Sequence, residues 1–316
     1  FCNKLWNVAR LTLINLDGYD SSPVTDEELA FEDRWILSRL ATVTDQVTNS
    51  LNAYLYADAA RTLYDFAWDE FCSFYAEMAK PRFEDPEKRS VAQRVIAHVL
   101  DSLLKLLHPM IPFLTEEVWG LLNRVAPVRG LKEPTLADEH VVVTAWPTAD
   151  LSHQDAQLEG QFAKFQSVLG ALREIRSRQG IAPKEKVEFR VRCDADTVDL
   201  LRPMDQYFER MARAKATDWG DSIEPPATHA KVDLSDMDVF VDLQDFIDVE
   251  AEIERNAKQE EKLLNMITGK EKKLSNESFV QRAPAEVVQR ERDGLENLKE
   301  QLESVREALA KLRDSV

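Results

Sequence analysis

Glycine is scarce in this sequence, with nine in 316 residues. Rossmann-type and barrel enzymes spend glycine on phosphate loops and tight turns, so the scarcity points to a helix-rich architecture. Cysteine is scarcer still. Cys2, Cys72 and Cys193 are odd in number, far apart and without CxxC spacing. That argues against a disulfide framework or a zinc site and fits a reducing cytoplasm. Long apolar runs are missing: none approaches the roughly 20 residues of a membrane span, and no signal peptide precedes the first helix. The chain opens at Phe1, without an initiator Met and already inside an amphipathic pattern, so it reads as part of a longer protein.

Catalytic signatures are missing as well. There is no G-x-G-x-x-G, P-loop or HExxH, and His98, His108, His140, His153 and His229 are scattered singly. His98 and His108 lie in or at the end of one helix and read as satisfied structural histidines. Glu116 and Glu117 sit near a helix start, where the dipole favours acid, and need no catalytic role. No nucleophile has an evident base partner. The Trp and Tyr residues of the first 125 positions fall at core spacing and read as core.

What is present suits two or three domains, since 44% of the residues are hydrophobic and single cores stop growing near ~250 residues. The formal charge of -17 argues against a general nucleic-acid binder. It is compatible with local basic stripes, around which excess negative charge repels RNA docked in the wrong place.

The first stretch, 1–125, reads as five helices with short connections, which implies a bundle with antiparallel neighbours. The first runs from Cys2 to Leu16 and ends near Gly18. The second starts at Thr25, where T-D-E-E forms a capping box with Glu28, and continues through Trp35, Ile36, Leu40, Val43 and Val47. The third spans Ala57 to Lys80 with Ala60, Leu63, Tyr64, Ala67, Phe71 and Phe74 on one face, and Pro81 stops it. The fourth follows Asp85-Pro86 and runs to Leu107. Pro109 and Pro112 break the chain before a short helix through Val118, Trp119, Leu121 and Leu122.

Residues 126–156 read as a linker rich in proline. A small α+β module is expected over 157–246: a helix from Gln157 to Gln179, strands over Lys186 to Arg192, Ala216 to Trp219, Ala230 to Leu234 and Val239 to Leu243, and a helix from Asp196 to Ala214. Over 247–316, Val288, Glu291, Leu295, Leu298, Leu302, Val305, Leu309, Leu312 and Val316 step by threes and fours, a heptad seam with one polar interruption. Val249, Ile253, Leu263, Ile267 and Leu274 fit the same register upstream. Two helices around one break predict an antiparallel hairpin, an arm about 40 Å long at 1.5 Å per residue. The fold class expected is therefore mainly α: a helical bundle, a small α+β module and a C-terminal coiled-coil hairpin.

Two surface patterns stand out. Lys4, Asn7, Arg10 and Leu11 share one broad face of the first helix, offering an ammonium, an amide, a guanidinium and an apolar contact. That set suits an unstacked base and its phosphate, although a solvated face has the same composition. Lys270, Lys272, Lys273, Arg282, Arg290 and Arg292 cluster around the hairpin tip, where a phosphate contact and a solvated flank are both open.

Several strings go beyond periodicity. F-C-N-K-L-W-N-V-A-R (1–10), D-R-W-I-L-S-R-L (33–40), W-D-E-F-C-S-F-Y-A-E-M-A-K-P (68–81) and L-L-K-L-L-H-P-M-I-P-F-L-T-E-E-V-W (103–119) resemble the anticodon-binding domain of valyl-tRNA synthetases, a class I family. I-R-S-R-Q-G-I-A-P (175–183) resembles a further family segment. K-K-L-S-N-E-S-F-V-Q-R-A-P-A-E-V-V-Q-R-E-R (272–292) is similar to the hairpin of that family's C-terminal coiled coil. The resemblance implies a tRNA-binding region that reads the anticodon of tRNA(Val) with its bundle and lays its arm on the outer corner, where the D and T loops meet. It implies a parent ligase that uses ATP and magnesium to charge tRNA with valine. The HIGH and KMSKS signatures are missing from this stretch, so it implies no cofactor and no aminoacylation here. The implied partners are tRNA and the catalytic domain of the same chain, with no membrane and a monomeric state.

By the same resemblance, Lys4, Asn7 and Arg10 match the anticodon-facing helix, and Leu11 stands where many relatives have Phe. At the arm's outer-corner surface, Lys270, Lys273, Arg290 and Arg292 could substitute for basic residues that some relatives carry at neighbouring positions. Gly269 and Gly294 stand where some relatives carry basic residues, and a glycine inside each arm helix costs roughly 1 kcal/mol against alanine. Two alternatives stay open: a sister isoleucyl or leucyl enzyme, and a non-enzymatic protein that assembles through its coiled-coil seam.

Overall fold

Helix α1 (Cys2–Asn15) stops where the sequence supplies a residue for the left-handed region. Gly18, at φ +72°, turns the chain there, and the Tyr19 N–H bonds the Leu16 carbonyl at 3.0 Å. The computed structural model describes residues 1–246, 249–275 and 285–314, which fall into two compact units, Phe1–Lys164 and Phe165–Val316.

In the first unit, the capping box at Thr25 forms, with the Thr25 N–H donating to Glu28 Oε2 at 2.7 Å. It closes only a single 3₁₀ turn, Asp26–Glu28, after which Leu29 is extended. Helix α2 (Phe31–Asn52) starts one cap later, where the Asp33 carboxylate accepts the Ala30 N–H at 3.0 Å. The expected start at Thr25 is thus corrected: two caps lie in tandem. The second is anchored by tertiary contacts, because Asp33 also takes Arg82 Nη1 at 2.7 Å and the Tyr75 hydroxyl at 2.8 Å.

A second correction concerns the third helix. It runs as α3 (Tyr56–Asp65), a π-helical segment (Phe66–Tyr75) and α4 (Ala76–Glu84), so Pro81 lies inside it and stops nothing. Proline removes one N–H and crowds the preceding turn, a cost that side-chain anchors can offset. Arg82 and Phe83, just past the proline, are buried and hold the helix on course. Of the expected face, Leu63, Ala67 and Phe71 are buried and Phe74 is half-buried, whereas Ala60 and Tyr64 face solvent and Ala59 takes the buried place. Helices α5 (Arg89–Leu107) and α6 (Pro112–Val125) complete the bundle, Pro112 taking the first-turn position where its missing N–H costs nothing.

The core of this unit is aromatic and aliphatic, with Trp35 stacked on Phe162 at 3.5 Å between ring centroids. Around it run polar struts, part-buried at Arg39 and buried at Arg129. Arg39 forks onto Glu70 at 2.8 and 3.0 Å and reaches Glu159 at 2.9 Å. Burial opposes the charge on Arg39, but the two carboxylates outweigh it and keep the guanidinium protonated. Arg129 bonds Asp101 at 2.6 Å, tying the irregular stretch after α6, with its two-residue strands β1 (Val128–Arg129) and β2 (Thr135–Leu136), to α5.

The boundary between units falls within helix α7 (Ala156–Arg178). The second unit holds a four-stranded sheet in the order β4-β3-β6-β5, formed by β3 (Val187–Arg192), β4 (Ala214–Gly220), β5 (His229–Asp233) and β6 (Asp238–Asp242). β3 is parallel to β4 and antiparallel to β6, with a register shift at Phe189/Arg190. The parallel pair needs a crossover, supplied by α8 (Ala195–Leu201) and α9 (Asp205–Ala212). Sequence periodicity suggests one helix there, over 196–214. Pro203 splits it through a 3₁₀ turn, and Arg213, in the left-handed region at φ +48°, ends it. Phe165, Phe208, Phe189 and Trp219 fill the core against the sheet.

Helices α10 (Val249–Ser275) and α11 (Ala285–Asp314) pair antiparallel, Glu260 reaching Arg306 and Glu271 reaching Lys299. Leu263, Ile267, Leu298 and Leu302 form the buried seam, with Leu295 and Val305 packed on it. Val249, Ile253, Leu309, Leu312 and Val316 lie outside the described side chains, as do Arg282 and the break between the helices. The mainly α architecture with a small mixed sheet agrees with the sequence expectation.

Candidate nucleic-acid interface

Helix α1 is amphipathic: Leu5, Ala9, Thr12 and Leu16 are buried, and Asn7, Arg10 and Ile14 face solvent. The four sequence-selected residues of this helix are not equivalent. Asn7 and Arg10 are exposed and make no hydrogen bond or ion pair among the described residues, and Leu11 is half-buried beside them. Lys4 is committed elsewhere. Its Nζ donates to the Trp68 carbonyl at 3.0 Å and to Ser73 Oγ at 2.7 Å, and stands 4.0 Å over the Trp68 ring. Trp68 is thereby held from two sides within the π-helical segment, where Ser73 Oγ also donates to its carbonyl at 2.8 Å.

Beside Lys4 lies a ladder of rings that sequence spacing assigns to the core. Tyr64 stacks on Phe1 at 5.2 Å and on Trp68 at 5.7 Å, and is 44% exposed. The signal available was the Tyr64/Trp68 pair, four apart and one residue out of phase with Leu63 and Ala67. The face available to a ligand therefore runs from an aromatic patch through an amide to a free guanidinium, which suits an unpaired base and its phosphate.

Other titratable groups of this unit are structural. Burial pushes the Cys72 thiol up to about 12, which keeps it protonated and inert. Burial pulls His98 below the ordinary imidazole value, and His108 Nδ1 lies 2.8 Å from Thr115 Oγ1. Among the described residues no group of His, Cys, Asp and Glu is arranged to hold a metal ion.

On the arm, Lys270 and Lys273 both turn to Glu291, at 2.5 and 2.6 Å. Those contacts pull the Glu291 carboxyl down to about 2. Arg290 and Arg292 are exposed and carry no ion pair among the described residues. Gly269 has open space around it, whereas a Cβ at Gly294 would meet Lys270 Nζ at 2.9 Å.

Two family models match the chain. Residues 33–191 match the anticodon-binding domain of tRNA ligase, and residues 248–313 match the valyl tRNA synthetase tRNA binding arm. A valine--tRNA ligase of Rhodopirellula baltica is 50% identical over 99% of this chain and 30% of its own length. Those of Thermotoga maritima and Bacillus subtilis are 34% and 32% identical, each again over 99% of this chain, and over 33% and 35% of their own lengths. The chain thus spans about a third of the length of the curated relatives it matches.

Proposed function

Since the chain belongs to the anticodon-binding domain family of tRNA ligases and ends in a valyl-type tRNA-binding arm, we propose that it positions tRNA(Val) for aminoacylation carried out elsewhere in a longer protein. The longer protein joins valine to its tRNA with ATP and magnesium, and the catalytic domain precedes this region in the same chain. This region holds no cofactor of its own. Its contribution is placement: base contacts at one end of the tRNA and shape contacts at the other set the acceptor stem for the reaction.

The bundle, 1–125, is the anticodon reader. Asn7 and Arg10 offer unpartnered donors to a base edge and a phosphate, and Leu11 supplies an apolar contact. Lys4 shapes the neighbouring surface through Trp68 and has one N–H left for RNA. The arm, 247–316, rests on the outer corner of the tRNA through its tip cations. The module between them, 157–246, spaces one from the other. The protein acts as a cytoplasmic monomer, a reading supported by Leu263, Ile267, Leu298 and Leu302 packing on one another within one chain.

The observation that carries this proposal is the occurrence of both domain models, in order, on one chain half identical to a valine--tRNA ligase along 99% of its length. Equilibrium binding of valine tRNA transcripts tests it. Wild-type protein should prefer the native anticodon to an altered one, and Arg10→Ala should erase that preference. Equal affinity for both transcripts in the wild type would remove the bundle as the reader.

A further inference from the structure

Resting on the RNA-binding reading of the arm, we propose that its tip cations divide by role: Lys270 and Lys273 grip Glu291 to set the register of the hairpin, and Arg290 and Arg292 form the site for RNA phosphate. On α10 the seam steps from Leu263 to Ile267, Lys270 and Leu274, so Lys270 holds a seam position. On α11 it steps from Val288 to Glu291, Leu295, Leu298 and Leu302, so Glu291 holds another. These two residues make one polar layer in an otherwise apolar interface, and Lys273, one turn beyond Lys270, takes the second carboxylate oxygen.

Such a layer specifies alignment. An apolar seam tolerates sliding by a turn, whereas a slide here would set Glu291 against Ile267 or Leu274 and leave its carboxylate unpaired. Gly294 reinforces the same alignment. Lys270 lies across it to reach Glu291, within 2.9 Å of where a Cβ would stand. One register alone places the bare backbone under that lysine.

The layer also decides which charges an RNA meets. Lys270, Lys273 and Glu291 together present one net positive charge, and the Lys270 ammonium is turned into the seam. Arg290 and Arg292 flank Glu291 on the two sides of the seam, exposed and without a carboxylate partner among the described residues. Guanidinium forks of this kind suit the paired oxygens of a phosphodiester.

The test is binding of an unmodified valine tRNA transcript to the full chain across a salt series, with hydrogen exchange of the α10 and α11 amides measured in parallel. R290M/R292M should weaken binding and reduce the slope of log K against log salt by about 1.4 to 1.8, the loss of two phosphate contacts. The same variant should leave amide exchange as in the wild type. K270M/K273M and E291Q should keep the wild-type slope and speed exchange along both helices. E291Q keeps the side chain's size, so it reports even where the double lysine variant fails to fold. A slope lost in K270M/K273M and kept in R290M/R292M would overturn the division while leaving the arm as an RNA contact. So would tighter binding by E291Q with unchanged exchange, because the lysines would then be phosphate ligands restrained by Glu291. Unchanged binding in every variant would overturn the arm reading and this division together.

Discussion

Lys4 places its ammonium 3.0 Å from the Trp68 carbonyl and 4.0 Å over the Trp68 ring, joining the first turn of α1 to the π-helical segment. A residue selected from sequence as an RNA ligand is therefore first a strut. Lys4→Met keeps the length of the side chain and removes the charge. It should destabilise the bundle by on the order of 2 kcal/mol, from two charge-assisted hydrogen bonds and a cation–π contact in a half-buried site. Urea unfolding measures the loss, and Arg10→Met, at an exposed position, should show almost none.

Asp33, Arg82 and Tyr75 form a buried polar triad, with Arg82 3.4 Å from Glu32 as a weaker partner. Arg82→Leu leaves the Asp33 carboxylate, fully shielded from solvent, without its counter-charge and should cost about 3–5 kcal/mol. Tyr75→Phe removes one hydrogen bond and should cost about 1–2 kcal/mol. Denaturant midpoints for the two variants rank these losses, and equal midpoints would contradict the triad's assigned order.

The two arm glycines should respond differently to alanine. At Gly269 nothing stands within 4 Å of a new Cβ, so Gly269→Ala should stabilise the arm by about 1 kcal/mol through helix propensity alone. Gly294→Ala has the same propensity gain but displaces Lys270 from its place beside Glu291, and should give less. The difference, read from thermal unfolding followed by circular dichroism, reports the Lys270 contact.

Acid should act late on the arm. Lys270 and Lys273 pull the Glu291 carboxyl from its ordinary value of 4.5 down to about 2. A depressed carboxyl contributes stability that is complete above its unfolded value and lost as pH falls through the folded one. The α10–α11 pairing should therefore keep this contribution near pH 4.5 and lose it between there and pH 2. In E291Q that loss should vanish, as a pH series of amide exchange would show.

Thiol chemistry offers a simple check of the bundle. Cys2 is exposed, whereas Cys72 and Cys193 are buried, and burial holds Cys72 near 12. A thiol reagent at pH 8 should label one site quickly and all three only after unfolding. Fast labelling of Cys72 would place it outside the packed core.

Long, strongly periodic elements were legible in the sequence. The end of α1 near Gly18, the span of α7 and the Leu263–Leu302 seam follow from glycine geometry and helical or heptad spacing, which are local properties. The misses have tertiary causes. Thr25 and Glu28 make a good cap, but Asp33 makes a better one because Arg82, 49 residues away, fixes it. Pro81 is a helix breaker by propensity, yet the buried Arg82 and Phe83 just past it carry the helix through. The parallel β3–β4 pairing joins segments more than 20 residues apart, and nothing in either strand encodes it. For the interface, Asn7 and Arg10 could be picked from residue type and spacing. The exposure of Tyr64 had a signal in its spacing from Leu63, but the commitment of Lys4 had none, since it depends on where the π-helical segment places the Trp68 carbonyl and Ser73.

The most direct measurement is nucleotide-resolved footprinting of a valine tRNA transcript bound to the full chain. A two-ended placement device should protect two separated zones: the anticodon loop, lost in Arg10→Ala, and the outer corner where the D and T loops meet, lost in R290M/R292M. Protection confined to one zone, or to the acceptor stem alone, would contradict it.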